Sequence, residues 1–180
     1  MSRIIQTPRL VLRPWEATDV DAAFAIFSAP SVREWVPPEL GPPDTVEGMR
    51  ALLASWADRD SLSEKALGHW AVGRRGSSAV IGGLTLHPAS VGGESIALAW
   101  ALSPSAWGHG YAAEAGDALV RWAIHDMGEI EIFALVQPDN KRAAATAERI
   151  GMEWVTEIGH VDNGRYQVYR IRHGDLDWEE

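Results

Sequence analysis

The stretch Trp107-Gly108-His109-Gly110-Tyr111-Ala112-Ala113-Glu114-Ala115-Gly116 follows an alternating apolar run at 96–102 and a break at Pro104, and it opens a helical pattern over 111–127. Glycine lets a backbone approach a ligand without a Cβ in the way. The first turn of a helix carries N–H groups without intrahelical partners and a partial positive charge. A strand, a glycine turn and a helix start together make a phosphate-binding device.

Outward from this turn, the preceding segment 94–102 places Ile96, Leu98, Trp100 and Leu102 on one face and Ala97, Ala99 and Ala101 on the other. Both faces are apolar, as in a strand covered on both sides. The helix carries a polar stripe of Glu114, Asp117, Arg121 and His125, at the spacings of one face. A second strand at 130–136 is predicted parallel to the first, because the helix forms the crossover between them. Asp139 or Asn140 then caps a helix to Ile150, Gly151 ends it, and an Asn163-Gly164 turn joins two closing strands.

Upstream, residues 7–13 read as a strand, and Thr18 caps a short helix with Val20, Ala23, Phe24 and Phe27 inward. Residues 29–43 are irregular and proline-rich. Asp44 with Glu47 forms a capping box for a helix presenting Met49, Leu52, Leu53 and Trp56. Strands at 67–72 and 79–87 form a hairpin, in which Gly82-Gly83 marks a bulge or a close approach of another backbone. With no repeat and no linker, residues 1–180 read as a single domain. Its class is α/β (α+β), a mixed, mainly antiparallel twisted sheet of about seven strands flanked by about four helices.

Composition narrows the chemistry. No cysteine is present, which excludes disulfides, thiol nucleophiles and thiolate metal sites. The net charge of -9 argues against a nucleic-acid partner and suits a cationic one, or serves solubility. No apolar run reaches the roughly 20 residues of a membrane helix, and no signal-peptide pattern opens the chain. A cytoplasmic protein without membrane contact is the expectation. No histidine spacing suggests a metal site. Neither a Walker lysine nor a Rossmann G-x-G-x-x-G with its later acid is found, so another kind of nucleotide binder ranks low.

The order of elements and motifs resembles the GCN5-related N-acetyltransferase (GNAT) family, in its ribosomal-protein N-acetyltransferase-like branch. The resemblance rests on T-x-R-L-x-L-R (Thr7, Arg9, Leu10, Leu12, Arg13), Ile81-Gly82-Gly83, Leu102 and Pro104 before W-G-x-G-Y-A-x-E-A, Pro138 and Asn140, and Ile150-Gly151-Met152. It implies a GNAT-like fold and acetyl transfer from acetyl-CoA to a primary amine, on a protein N-terminus or a small molecule, by direct attack in a ternary complex. It places the CoA pyrophosphate on Trp107, Gly108, His109, Gly110, Tyr111, Ala112 and Ala113, and the pantetheine arm beside Leu102 and Asn140. Trp35 and Trp100 are implied as acceptor-pocket walls, with core packing the alternative. No metal is implied, and the chain is expected as a monomer or homodimer.

Two positions depart from the family pattern. Ala97 stands where a central-strand glutamate often serves as base, and Ala143 stands where a serine often faces the leaving thiolate. The catalytic residues are therefore unassigned. Glu94, with a solvated strand end as the alternative, and His69 and His87 on the hairpin remain as candidate bases. A non-catalytic acyl-CoA-binding module and a transferase for a longer acyl group such as succinyl are the competing functions.

Overall fold

The computed structural model describes residues 3–36, 43–159 and 164–177. In chain order these form β1 (Ile5–Gln6), β2 (Leu10–Pro14), a 3-10 turn (Ala17–Asp19), α1 (Val20–Ser28), α2 (Pro30–Arg33), α3 (Val46–Leu62), β3 (Gly68–Arg74), β4 (Val80–Ser90) and β5 (Glu94–Leu102). After a second 3-10 turn (Pro104–Ala106) come α4 (Tyr111–His125), β6 (Glu131–Val136), α5 (Lys141–Ile150), β7 (Glu153–Gly159) and β8 (Arg165–Arg172). The strands make one sheet in the order β1-β2-β3-β4-β5-β6-β8-β7. All its pairings are antiparallel except β5 with β6. Among the described residues no helix is long and apolar enough to cross a membrane.

The expected architecture holds, with one strand and one helix added. The extra strand is the two-residue β1, paired back onto β2 through Ile5–Leu12 and Gln6–Val11. The extra helix is the single turn α2, which begins with Pro30 at the position where a missing N–H does no harm.

Two helix starts differ from the sequence reading. Thr18 does not cap α1; it lies inside the 3-10 turn, and the Asp19 carboxylate reaches back to the Glu16 amide at 2.8 Å. Asp44 does not cap α3 either. The Thr45 hydroxyl accepts from the Gly48 amide at 3.0 Å, while Asp44 pairs with Arg33. At α3 the cap falls on the neighbouring residue, an equally good cap former; α1, entered from the 3-10 turn, has no side-chain cap bond at its own N-cap, Asp19. The Asn163-Gly164 turn lies partly outside the described residues, as does 37–42 of the proline-rich segment.

Strand alternation builds two cores on the two faces of the sheet. One face presents Trp70, Val72, Leu84, Leu86 and Leu98, and α4 covers it with Leu119, Val120 and Ala123. There α5 packs so closely on α4 that a Cβ at Gly116 would lie 2.5 Å from Ile150 Cδ1. Glycine in a helix interior costs about 1 kcal/mol, and here the cost admits a second helix. The other face presents Ala71 to Trp15, Val20, Ala23, Met49, Leu53 and Trp56 of the segment containing α1 and α3. Trp15, Phe27 and Trp56 are in mutual ring contact, with centroids 6.2–6.4 Å apart.

The central strand β5 spans the predicted 94–102. It pairs with β4 along its whole length, but with β6 only at Ala97–Phe133. Beyond that rung the two parallel strands part. The glycine pair on β4 sits opposite the parting end: Gly82 faces Leu102 and Gly83 faces Ala101. A Cβ at Gly82 would come within 2.6 Å of the Ala101 carbonyl, and one at Gly83 within 2.7 Å of the Trp15 ring. The two glycines therefore serve close approach, and the hairpin's register shift lies beside them: Val72 pairs with Gly82 but Gly73 with Val80, which leaves Ile81 of β4 as the extra residue.

Candidate active site

The turn ahead of α4 has left-handed backbone at both glycines, φ +78° at Gly108 and +75° at Gly110. Any residue with a Cβ would be strained there. Gly110 is the N-cap of α4, and among the described residues no side chain caps the helix's first amides. The first N–H groups of a helix have no intrahelical partners and carry the positive end of its dipole. His109 stacks on Tyr111, ring centroids 5.4 Å apart.

Glu114, read from sequence as part of the helix's polar stripe, is clasped by the N-terminal segment. Its Oε1 accepts from the Thr7 hydroxyl at 2.6 Å and the Arg9 amide at 3.1 Å, and its Oε2 from Arg9 Nε at 2.6 Å. Arg9 also donates to the His109 carbonyl at 2.9 Å and lies 4.8 Å from the Tyr111 ring centre. One arginine thus ties β2 to the glycine turn and keeps a cation beside the first amides of α4. The conventional helix-stripe pair, Asp117 with Arg121, does form at 3.0 Å.

Burial pushes the Glu114 carboxyl up, but the bonds from Thr7 and Arg9 outweigh it and hold the group below its ordinary value. Asp19 behaves likewise. Burial raises it, while the two-pronged contact with Arg13 (2.7 and 2.9 Å) and the Glu16 amide lower it further. A carboxyl depressed in the folded state adds stability that is complete above its unfolded value, near pH 4.5, and lost as pH falls through the folded one. Glu114→Gln should lower stability at pH 7 by about 1–2 kcal/mol. Urea unfolding at pH 7 and pH 3 checks this: the gap from wild type narrows at pH 3. A gap that stays constant would show that the charge does not hold the turn.

Where β5 and β6 part, a cavity opens through the sheet. From the α4–α5 side it is lined by Leu102, Trp107, Ala112, Asn140, Arg142 and Ala143. From the α1–α3 side Phe27, Val32, Trp35, Val36 and Trp56 enclose it. Gly83, Thr85, Ala99 and Ala101 form a floor of small side chains, and Trp100 and Tyr166 also reach it. The Trp107 indole N–H donates to the Leu102 carbonyl at 3.0 Å, and the Arg142 guanidinium lies 3.5 Å over the Trp107 ring. Asn140 caps α5 through its side-chain oxygen, which accepts from the Ala143 amide at 3.1 Å.

Of the residues singled out from sequence, Leu102, Trp107, Ala112, Asn140, Trp35 and Trp100 come together around this one cavity. Gly108, His109, Gly110, Tyr111 and Ala113 form the adjoining turn and helix start. The candidate bases do not join them. Glu94 is at the opposite end of β5, 96% exposed and 3.6 Å from Lys65; five residue steps along the strand, roughly 17 Å, separate it from Ala99. His87 faces Ala97 across the ladder, with its ring on the Pro88 carbonyl. His69 lies behind Trp56, stacked on it at 4.3 Å, with Nδ1 held by Asp60 at 3.1 Å. Ala97 is fully buried beside Phe133 and Val168.

Phe27, Trp56, Thr85, Arg142 and Tyr166 were not anticipated as cavity residues. Thr85 had a signal, since its alternation with Leu84 and Leu86 puts it on the floor side. Tyr166 had none: it arrives because β8 returns antiparallel beside β6, pairing Gln167 with Val136.

The parted parallel strands and the glycine turn thus lie together at one end of the sheet. A sequence model of the acetyltransferase (GNAT) domain matches residues 9–153, and the chain belongs to the GNAT family of acetyl-CoA-dependent N-acetyltransferases. It is 25% identical over 154 residues to an uncharacterised N-acetyltransferase, YoaA, of Bacillus subtilis (strain 168), covering 85% of this chain and 84% of that one. The acetyltransferase from Agrobacterium tumefaciens str. C58 superposes with a TM-score of 0.75 at 26% identity, covering 96% of each chain. The fold is also shared with Mycobacterium smegmatis RimJ, solved in complex with CoA-disulfide: TM-score 0.79, 18% identity, 94% of this chain and 84% of that one.

Proposed function

We propose that the enzyme transfers the acetyl group of acetyl-CoA to a primary amine by direct attack in a ternary complex. The pyrophosphate rests on the turn from Trp107 to Ala113, and the pantetheine arm follows Leu102 and Asn140 into the parting of β5 and β6. The observation that carries this reading is that single β5–β6 rung at Ala97–Phe133, with the uncapped start of α4 at the mouth of the gap. Arg9 and Arg142 add positive charge at the turn and at Trp107, where phosphate oxygens gain charge-assisted bonds. The family's donor supplies an activated thioester. The reaction forms one N–C bond, breaks the C–S bond and leaves one net proton in solution.

The amine must be neutral when it attacks. Neither Ala97 nor Ala143 can move a proton, and among the described residues no carboxylate lines the cavity. Deprotonation to water is then the simplest route, and desolvation in an apolar cavity lowers the pKa of the amine itself. The residues act chiefly by holding donor and acceptor in line.

Calorimetry with acetyl-CoA should show one site per chain, and CoA release should depend on added amine. In a pH–rate profile, the acidic limb should follow the pKa of the chosen amine and shift when amines of different pKa are compared. Glu94→Gln should leave that limb unmoved. A limb fixed whatever the amine would require a titrating base on the enzyme.

A further inference from the structure

We infer that the acceptor is a monoamine carried on an aromatic or bulky apolar body, with an arylalkylamine as the type, and not a polyamine or a peptide N-terminus. The inference rests on the acetyltransferase reading above and adds the substrate class.

Its first ground is the shape of the cavity's α1–α3 side. Phe27, Trp35 and Trp56 stand against a floor reduced to Gly83, Ala99 and Ala101. The floor cannot be raised at Gly83, where a Cβ would collide with the Trp15 ring. Small residues facing large flat ones leave a slot for a flat or bulky apolar group, and aromatic rings prefer such offset or edge-on neighbours.

The wall is also held in place before any ligand arrives. Trp56 is only 4% exposed. Its ring is in contact with Trp15 and Phe27, and His69, fixed by Asp60, lies parallel to it at an interplanar angle of 8°. Binding to a preformed slot avoids the ordering cost of making one.

Charge gives the second ground. The chain carries a net charge of -9, yet among the described residues no aspartate or glutamate lines the cavity, and its one charged side chain is Arg142, a cation. A polyamine would bring a second ammonium into this space, where it would lose water without gaining a counter-ion. A peptide would bring several amide groups, and the side-chain polar partners around the cavity are few: Ser31, Thr85, Gln137, Asn140 and Tyr166, beside the Trp35 and Trp56 indoles. Unpaired buried amides are penalised in the same way. A monoamine places its one polar atom at the acyl carbon and its apolar body against the aromatic wall, so both ends are matched.

The test uses the full chain with acetyl-CoA and three acceptors: 2-phenylethylamine, spermidine and an N-terminal-alanine hexapeptide. The kcat/KM for 2-phenylethylamine should exceed that of each of the others by at least about tenfold. Trp35→Ala should raise the KM for 2-phenylethylamine about tenfold and leave the calorimetric Kd for acetyl-CoA unchanged; Trp35→Phe should recover most of the loss. Equal or faster turnover of spermidine or the peptide overturns the inference, as does a KM indifferent to Trp35→Ala. If acetyl-CoA binds but 2-phenylethylamine is neither bound by the CoA complex nor acetylated, this inference falls and the donor reading stands. If acetyl-CoA does not bind, both fall.

Discussion

Gly110→Trp should weaken acetyl-CoA binding by about 100-fold or more, the loss of roughly 2.7 kcal/mol, while the protein still folds. Gly110 closes the turn in left-handed backbone at φ +75° and caps α4 without a side-chain bond. The nearest atom to a Cβ built there is Arg9 Nη2, at 3.6 Å. An indole on that Cβ has two places to go. It displaces the Arg9 guanidinium from His109 and Glu114, or it covers the first amides of α4. Either removes a component of the anion cradle, the cation in one case and the helix N-terminus in the other. The left-handed conformation adds strain of about 1–2 kcal/mol, so a melting curve must accompany the calorimetry. Gly110→Ala separates the effects, because it carries the strain with only a methyl group. The expected order of affinity is wild type, then Gly110→Ala slightly weaker, then Gly110→Trp with no measurable heat. If Gly110→Trp binds as wild type does, the pyrophosphate is held elsewhere.

The fold was legible where side-chain periodicity and backbone chemistry coincide. The run 94–102 alternates cleanly and is bounded by Gly92-Gly93 and Pro104, and β5 has those limits. Gly151 was readable as a helix end because its left-handed φ of +94° suits few other residues. Helix starts were less legible, since Asp44 and Thr45 are equally good caps and α1 starts from a 3-10 turn with no side-chain cap bond. In the site, the residues close in sequence to the glycine turn were readable, because the turn's geometry is local. The α1–α3 wall of the cavity was not. Phe27, Trp56 and Tyr166 come from three separate elements, and Trp56 carries the same apolar signature whether it faces core or cavity. Glu114 shows the converse: its helical spacing placed it in a polar stripe, but Thr7 and Arg9 lie over a hundred residues away in sequence and claim it. No helical period encodes such a contact.

The second large effect is on stability. Trp70→Ala should destabilise the protein by about 3–5 kcal/mol, a third or more of the 5–15 kcal/mol typical of a whole domain. Trp70 is wholly buried on β3. Its ring meets Trp122 of α4 edge-on at 5.4 Å, so it joins sheet to helix. Its indole N–H donates to the Arg3 carbonyl at 3.0 Å, and the Arg3 guanidinium sits 5.5 Å from its ring centre while donating to the Leu67 carbonyl. Truncation therefore leaves a large hole and takes away the tie that holds the N-terminal segment over the sheet. For a chain of this length the melting temperature should fall by about 6–20 °C. Trp70→Phe keeps the ring and loses the N–H, and should cost about 1–2 kcal/mol. Thermal denaturation followed by circular dichroism distinguishes the two variants. Trp70 lines neither the glycine turn nor the cavity, so well below its melting temperature Trp70→Ala should bind acetyl-CoA within about twofold of wild type. Together with Gly110→Trp it forms a crossed pair, one variant losing ligand and keeping the fold, the other losing stability and keeping ligand. A Trp70→Ala variant that melts like wild type would mean that α4 does not depend on this contact for its seat on the sheet. The glycine turn that begins α4 would then owe its position to the Thr7–Arg9–Glu114 clasp, and the loss would appear in Glu114→Gln instead.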